Sequence, residues 1–511
     1  MISPAKYAAG NKIPALLVFL AGGCNALAFA PTGWWPLQLL CLSLLFYILA
    51  HTAGTKKVML FSWLYASSWL FFGVIWLSVT MYRYGDMPVW LSFVALALFA
   101  ASLALIPALF MGFAARVRHH FSATAVALVL FPACWSLAEW VRGWLFTGFP
   151  WLVSGYAHTA SPLAGYAPLI GVYGIGWLVA VLAGCVLAWR RTPALLAVAV
   201  FLLGSGLQLI HWTSPHGAPL SVRLLQGNVD QKIKFQQEHL VDSLQFYYHA
   251  IRAKPADLII TPESALPLTM DSLPESYLAN LQAFSNETNS YVALGLFGYD
   301  GKDRYANSLI GLTPASAARE AASYRYDKHH LVPFGEFMPW GFAWFYHYMQ
   351  IPMGDLERGA LIAPPFTVRD QQVLPTICYE DVFGEEIAAR LANRFFMQKA
   401  VPGILLNVTN LAWFGDSWAL PQHLQIAQMR TLETGRPMLR ATNTGTTALI
   451  NAQGQVEQRL ASYTRGELDV MVQAYQGITP YIVCGNWLWL GLMLLFTVIT
   501  GISSYRASVK N

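Results

Sequence analysis

The sequence predicts a polytopic α-helical membrane domain of about eight spans that carries an exported α/β domain. Three observations lead there. The 511 residues are 56% hydrophobic, 14% aromatic and only 12% charged, with a mean hydropathy of +0.43, against roughly 25% charged residues in an ordinary soluble domain. The apolar residues are also segregated: long apolar runs dominate residues 1–212 and return in 481–511, whereas 213–480 have the composition of a soluble domain. Within that middle part, strand-like runs alternate with helical patterns. The expected order is a transmembrane domain of seven helices (1–212), an α/β domain outside the membrane (213–480), and a C-terminal transmembrane helix with a cytoplasmic tail (481–511).

A bilayer core of about 30 Å takes roughly 20 apolar residues per helix. Eight stretches qualify: 13–30, 37–51, 59–81, 89–114, 123–140, 164–189, 193–212 and 482–503. The second is short, and its entrance, Trp34-Trp35-Pro36, suits an interfacial anchor. Short cytoplasmic loops carry an excess of Lys and Arg. With a cytoplasmic N-terminus, the inside segments hold ten basic residues, Lys6, Lys12, Lys56, Lys57, Arg116, Arg118, Arg190, Arg191, Arg506 and Lys510, whereas the short outside loops hold two, Arg83 and Arg142. This alternation supports eight spans and puts 213–480 outside the cytoplasm. A cleaved signal sequence is the alternative for the first stretch, but no small-residue cleavage site follows Ala30, and the next residues, PTGWWP, suit an interface. The net charge of +5 reflects the loop bias, and the extramembrane part has no basic run, so no nucleic-acid partner is expected.

In that part the strand-like runs are SVRLLQGN at 221, DLIITPE at 257, YVALGLFG at 291, ANSLIGLT at 306, VLPTICYE at 373, GILLNVTN at 403 and TTALINA at 446. Helical patterns lie between several of them, at 236–253, 275–286, 384–393 and 421–433. Functional residues of α/β folds gather where strands end. Three such ends carry chemistry: Glu263 closes DLIITPE, Lys328 sits in YRYDKHHLVPFGE, and Cys378 closes VLPTICYE. Taken alone, Glu263 reads equally as a surface or capping carboxylate and Lys328 as a solvated lysine.

Cys378 stands apart from the other cysteines. Cys24, Cys41, Cys134, Cys185 and Cys484 all lie in or at the edge of expected spans, where a small apolar side chain needs no functional reason. Cys378 is the only one in the soluble part, and an exported domain pairs its cysteines or avoids them. The alternative is an inert thiol at the end of a core strand. In LPTICYED the thiol precedes Tyr379, Glu380 and Asp381, and neighbouring carboxylates oppose its ionisation. No zinc-type Cys/His spacing, phosphate loop or G-x-S-x-G elbow occurs. His329-His330 lacks an evident third ligand, so neither metal nor cofactor is expected.

With Glu in TPESALP, Lys in YDKHHLVPFGE and Cys in ICYED, in that order, the soluble part resembles the nitrilase superfamily, whose members use a Glu-Lys-Cys triad on an α-β-β-α sandwich. Together with the eight-span frame, RGWLFTGFPW at 142 and LQGN at 225, nearly the whole chain resembles the apolipoprotein N-acyltransferase family. Carried over motif by motif, the resemblance implies Glu263 as general base, Lys328 as the cation near a developing oxyanion and Cys378 as nucleophile. It places Glu336, Glu380, Tyr379 and Asn307 as supporting residues that line or orient the site. Phe235, Trp413 and Phe414 become candidates for lipid contact, with a core or interface role as the alternative for each.

The implied activity moves an acyl chain from a phospholipid, through a Cys378 thioester, to the N-terminal amine of a diacylglyceryl-cysteine apolipoprotein. The enzyme would be a monomer of the bacterial inner membrane with its catalytic domain in the periplasm. Segments 143–153 and 340–352 are expected along the bilayer interface. One rival is a membrane-tethered amidase hydrolysing a carbon–nitrogen bond, for which a single anchor would suffice. Another is a transporter or receptor, against which stands the scarcity of ionisable residues inside the spans, Glu139 being one of few.

Overall fold

The computed structural model describes residues 12–234, 236–299, 301, 304–317, 324–339, 341 and 355–509. The chain forms two compact units, one made of Met1–Ser78, Pro88–Ile210 and Cys484–Asn511, the other of Val79–Met87 and His211–Val483. The stretch Val79–Met87, read from the sequence as part of the membrane domain, thus groups with the second unit.

The first unit is helical. Val89–His120, Ala123–Arg142 and Pro162–Leu187 are each long and apolar enough to cross a membrane. Thr55–Gly73 and Leu77–Tyr84 pass that test only together, as a bent pair, and Lys12–Ala28, Trp35–Ala50, Arg191–Leu207 and Trp487–Ser503 are shorter apolar helices. Three of the eight expected stretches are therefore single helices meeting both criteria, and the rest are shorter or bent. Large apolar side chains such as Leu98, Phe113, Leu202 and Leu495 are exposed on these helices, as a lipid-facing surface requires and an aqueous one disfavours. Where the chain leaves helical geometry, buried polar side chains satisfy it: Arg142 donates to the carbonyl of Trp151 at 2.8 Å, and Glu139 accepts from the Ser154 hydroxyl at 2.7 Å. In the segment between, Phe146 is 90% exposed and Trp144 51%, whereas Trp151, Leu152 and Val153 are buried. Only the first half of the expected interfacial segment 143–153 presents apolar side chains outward.

The second unit is built on two six-stranded sheets. In chain order its strands are β1 (Thr213–Gln226), β2 (Leu258–Ile260), β3 (Tyr291–Tyr299), β4 (Tyr305–Leu312), β5 (Tyr324–Asp327), β6 (Phe366–Val368), β7 (Gln371–Ile377), β8 (Ile404–Thr409), β9 (Met438–Thr442), β10 (Ala448–Ile450), β11 (Val456–Arg459) and β12 (Gly466–Gly477). One sheet has the order β12-β1-β2-β3-β4-β5 and the other β11-β10-β9-β8-β7-β6. The parallel pairs β1–β2–β3 and β7–β8–β9 form the centre of each, and antiparallel strands complete the edges.

Successive side chains of a strand point to opposite faces, and here both faces are covered. Leu258 and Ile260 of β2 join Ile404, Leu406 and Val408 of β8 in a core between the sheets. Ile259 packs with Tyr247 and Leu281 of the helices Gln237–Arg252 and Glu275–Thr288. Leu405 packs with Leu391 and Ala427 of the helices Gly384–Phe396 and Ala419–Thr434. The layers are thus helix, sheet, sheet, helix. Burial on both faces is why the central strands read as continuous apolar runs rather than alternating ones. The seven expected runs coincide with β1, β2, β3, β4, β7, β8 and β10.

Candidate active site

The ends of β2, β5 and β7 bring Glu263, Lys328 and Cys378 together. After β2 the chain turns sharply, with Ser264 at φ 42°, and the turn is seated on β3: Thr261 N–H donates to the Ala293 carbonyl at 3.0 Å and Leu266 N–H to that of Gly295 at 3.0 Å. A Cβ on Gly295 would lie 2.1 Å from the Pro262 carbonyl oxygen, so only glycine lets the Glu263 turn approach β3 this closely. Cys378 follows β7 at φ 53°, a left-handed conformation that side-chain-bearing residues adopt rarely and at a cost.

Lys328 is fully buried. Its ammonium donates to Glu336 Oε1 at 2.9 Å and to Glu263 Oε1 at 3.3 Å. Asn307 Nδ2 bridges the same two oxygens, at 2.7 Å to Glu263 and 2.9 Å to Glu336. The outer oxygens are held by backbone: Asn410 N–H donates to Glu263 Oε2 at 2.7 Å and Val332 N–H to Glu336 Oε2 at 2.8 Å. Every carboxylate oxygen in the pair has a donor, as burial demands. Burial alone would lower the Lys328 pKa, but Glu336 and Glu263 outweigh it and hold the ammonium above the ordinary lysine range.

Burial pushes the Cys378 thiol up to about 12; Glu263 adds to the rise, Lys328 and the Thr409 hydroxyl oppose it, and Glu336 adds a further rise. At neutral pH the thiol is protonated, so it could act as a nucleophile only with a base to take its proton.

Behind Cys378 lies a second buried network. The Cys378 carbonyl faces His423 Nε2 at 3.2 Å, and the other ring nitrogen faces the Arg440 guanidinium. Burial, and then Arg440, push His423 well below its usual pKa. The neutral ring accepts from Arg440 at Nδ1, so its single N–H lies at Nε2 and donates to the Cys378 carbonyl. Arg440 also pairs with Asp381 at 3.6 Å, and Asp381 accepts from Thr376 at 2.9 Å.

Glu380 does not belong to the Lys328 pair. Its oxygens accept from the N–H groups of His329 at 2.7 Å and Ile377 at 2.6 Å and from the Tyr326 hydroxyl at 2.8 Å. It therefore ties the chain beside Lys328 to the chain beside Cys378. Burial raises its pKa, with Arg390 and the Ile377 N–H opposing.

Residues 21–185 match the family described as apolipoprotein N-acyltransferase N-terminal domain, and residues 221–476 match the carbon-nitrogen hydrolase family. The chain is 47% identical over 483 residues to an apolipoprotein N-acyltransferase of Ralstonia nicotianae, spanning 93% of this chain and 90% of that one. It is 39% identical over 508 residues to one of Nitrosomonas europaea, spanning 97% and 99%. This chain belongs to the apolipoprotein N-acyltransferase family. As a member of that family it is an acyltransferase with a nitrilase-like, two-sheet catalytic domain. A solved amidase from Nesterenkonia sp. matches 50% of this chain and 92% of its own at 16% identity, with a TM-score of 0.37.

The other expected residues are placed as follows. Tyr379 is buried, its ring 5.3 Å from that of Phe383 and 5.9 Å from His330. Trp413 is half-buried; its ring meets Tyr84 at 5.3 Å, and its carbonyl accepts from the Thr80 hydroxyl at 3.0 Å. Phe414 is likewise half-buried. Phe235 and nearly all of segment 340–352 lie outside the described residues. Sequence reading passed over Asn410, His423, Arg440 and Lys234. Asn410 ends the GILLNVTN run and was legible as a strand end; nothing marks the other three.

Proposed function

We propose that the enzyme carries out ping-pong acyl transfer at the outer face of a bacterial inner membrane, with eight spans, an N-terminus in the cytoplasm and the catalytic domain in the periplasm. The donor is a phospholipid and the acceptor is the α-amino group of a diacylglyceryl-cysteine apolipoprotein. The observation that carries this reading is the buried Glu263–Lys328–Glu336 cluster around a protonated thiol, in a chain whose relatives are named apolipoprotein N-acyltransferases.

Cys378 Sγ attacks the ester carbonyl carbon while Glu263 takes the thiol proton. Lys328 offsets the charge on the carbonyl oxygen, and such preorganised donors act where charge develops. The tetrahedral species collapses by breaking the bond to the glycerol oxygen. That oxygen receives the proton from Glu263, and a lysophospholipid departs. The acceptor amine then attacks the thioester carbonyl, the carbon–sulfur bond breaks, and the amine proton passes through Glu263 to Sγ. Glu336 and Asn307 hold Lys328 and Glu263 in register. A membrane frame suits such substrates, since exposing acyl chains to water costs about 0.8 kcal/mol per CH₂.

Intact mass of the purified enzyme tests this. Phospholipid alone adds one acyl mass to the wild type, hydroxylamine removes it, and Cys378→Ala never acquires it. A diacylated lipopeptide with a free N-terminus discharges the adduct and gains one amide-linked chain; an acetylated lipopeptide does not. Decay to free fatty acid at the same rate with and without lipopeptide makes the enzyme a lipid hydrolase. Ammonia release from a small amide with no lipid requirement would favour the amidase reading that the carbon-nitrogen hydrolase match brings.

A further inference from the structure

Lys234 sits in the turn after Asn228, where the sequence VDQKIKF gives no hint of burial. Yet its side chain is 2% exposed. Among the described residues its ammonium has one hydrogen bond, a long one of 3.4 Å to the backbone carbonyl of Glu263. A lysine has three donors and is almost never fully buried without a partner. Lys328, by contrast, is committed to two carboxylates.

The turn carrying Lys234 is fixed to the Glu263 turn. Asn410, whose N–H holds Glu263, donates from its side chain to Gln231 Oε1 at 2.7 Å. Asn443 exchanges hydrogen bonds with the Val229 backbone at 2.9 and 2.8 Å and donates to Asn410 at 3.0 Å. The Lys234 ammonium is thereby held against the Glu263 turn, and Glu263 and Cys378 are the charges that act on it. Of the other charged groups on its own turn, Asp230 pairs outward with Arg83 at 3.4 Å, and Lys232 is exposed.

With both carboxylates ionised, Glu263, Glu336 and Lys328 together carry one net negative charge beside the thiol. Attack by Cys378 places a further negative charge there while Glu263 takes a proton, so one charge remains unbalanced. We propose that Lys234 is the second cation of the centre, offsetting the negative charge that Cys378 and the acyl oxygen acquire during acyl-enzyme formation. It acts by its charge on the reacting pair, as a positioning residue distinct from Lys328. Burial lowers its pKa to about 8, with Glu263 and Cys378 opposing, so its charge is present at pH 7 and largely gone at pH 9.5.

The bearing on acylation rests on the function proposed above, but the test of Lys234 does not. Full-length enzyme is treated with N-ethylmaleimide, and modification of the Cys378 peptide is followed by mass at pH 7 and pH 9.5. Lys234→Met, which replaces a buried charge by an apolar chain of similar length, slows labelling about tenfold at pH 7, one pKa unit of thiol shift, and matches wild type at pH 9.5. Lys234→Arg stays charged at both pH values, so it labels like wild type at pH 7 and about tenfold faster at pH 9.5. Should the Met variant not fold, the Arg variant alone decides through its pH 9.5 rate. Equal labelling of all three proteins, or a change that is the same at both pH values, overturns the proposal. A wild type that takes no acyl mass from phospholipid overturns the acyltransferase mechanism and leaves the labelling result standing.

Discussion

Lys328 Nζ lies 2.9 Å from Glu336 Oε1, nearer than its 3.3 Å to Glu263 Oε1. Glu336 is thus the stronger tether of the lysine and keeps Glu263 from being neutralised by a full ion pair. Glu336→Gln removes that tether, and Lys328 moves onto Glu263, the proposed base. Acylation of Cys378 by phospholipid is expected to fall about 10²–10³-fold, the usual loss when one preorganised polar group is removed. Single-turnover mass kinetics measure it, and a rate within threefold of wild type would leave Glu336 a structural residue only.

Glu263 and Lys328 act on the thiol with opposite signs, which separates their roles from general damage. Glu263 raises the Cys378 pKa and Lys328 lowers it. Glu263→Gln therefore increases N-ethylmaleimide labelling of Cys378 while it abolishes acylation by phospholipid, because the variant gains thiolate and loses the base. Lys328→Met slows both. In the wild type, with a thiol at about 12, labelling climbs from pH 7 to 9 without a plateau, since the thiolate is the nucleophile, but by less than tenfold per pH unit, because Lys234 loses its charge over the same range. A plateau below pH 9 would mean a standing thiolate and no need for Glu263.

The His423 side chain offers a test of the network behind Cys378. His423→Leu removes one donor to the Cys378 carbonyl, leaving it the longer contact of 3.4 Å from Asn407, and deprives Arg440 Nη2 of its acceptor, while Nη1 keeps Asp381 and Asn407. An unsatisfied buried polar group costs about 1–3 kcal/mol, which for a domain of this size is a Tm loss of about 2–4 °C per kcal/mol. Because Cys378 sits at φ 53°, losing the clamp on its carbonyl also slows acylation. An unchanged Tm would show that the His423–Arg440 contact is not part of the folded centre in solution.

What the sequence disclosed follows from how each residue is used. The central strands were legible because both faces are buried, which turns Leu258–Ile260 and Ile404–Thr409 into unbroken apolar runs. β9 was passed over because its run, MLRAT, is interrupted by Arg440, a charge that the buried Asp381, His423 and Asn407 make tolerable. β12 was passed over for another reason: it is an edge strand whose polar and apolar residues alternate in GELDVMVQAYQG. Glu263, Lys328 and Cys378 were singled out because they close strand-like runs. Lys234 was not, because burial of a lysine in a turn leaves no periodic signal. Glu380 was expected to line or orient the site; its oxygens accept from the backbone N–H groups of His329, His330 and Ile377.

The last prediction concerns orientation. The basic residues alternate across the expected spans, ten on one side and two on the other, and the difference fixes which face of the membrane holds the catalytic unit. Three helices meet the length and hydropathy requirement by themselves, so the remaining expected crossings rest on the bent pair and the shorter helices, and the proposed export of the catalytic unit requires an odd number of spans before residue 213. A reporter active only outside the cytoplasm should work when inserted at Gly301 and fail when fused after Asn511, because the last expected crossing, the shorter apolar helix Trp487–Ser503, lies between them. Activity at both sites would mean that this helix does not span. The reverse pattern would put Cys378 in the cytoplasm, where an unpaired thiol needs no explanation, and would remove the periplasmic placement from the proposed mechanism.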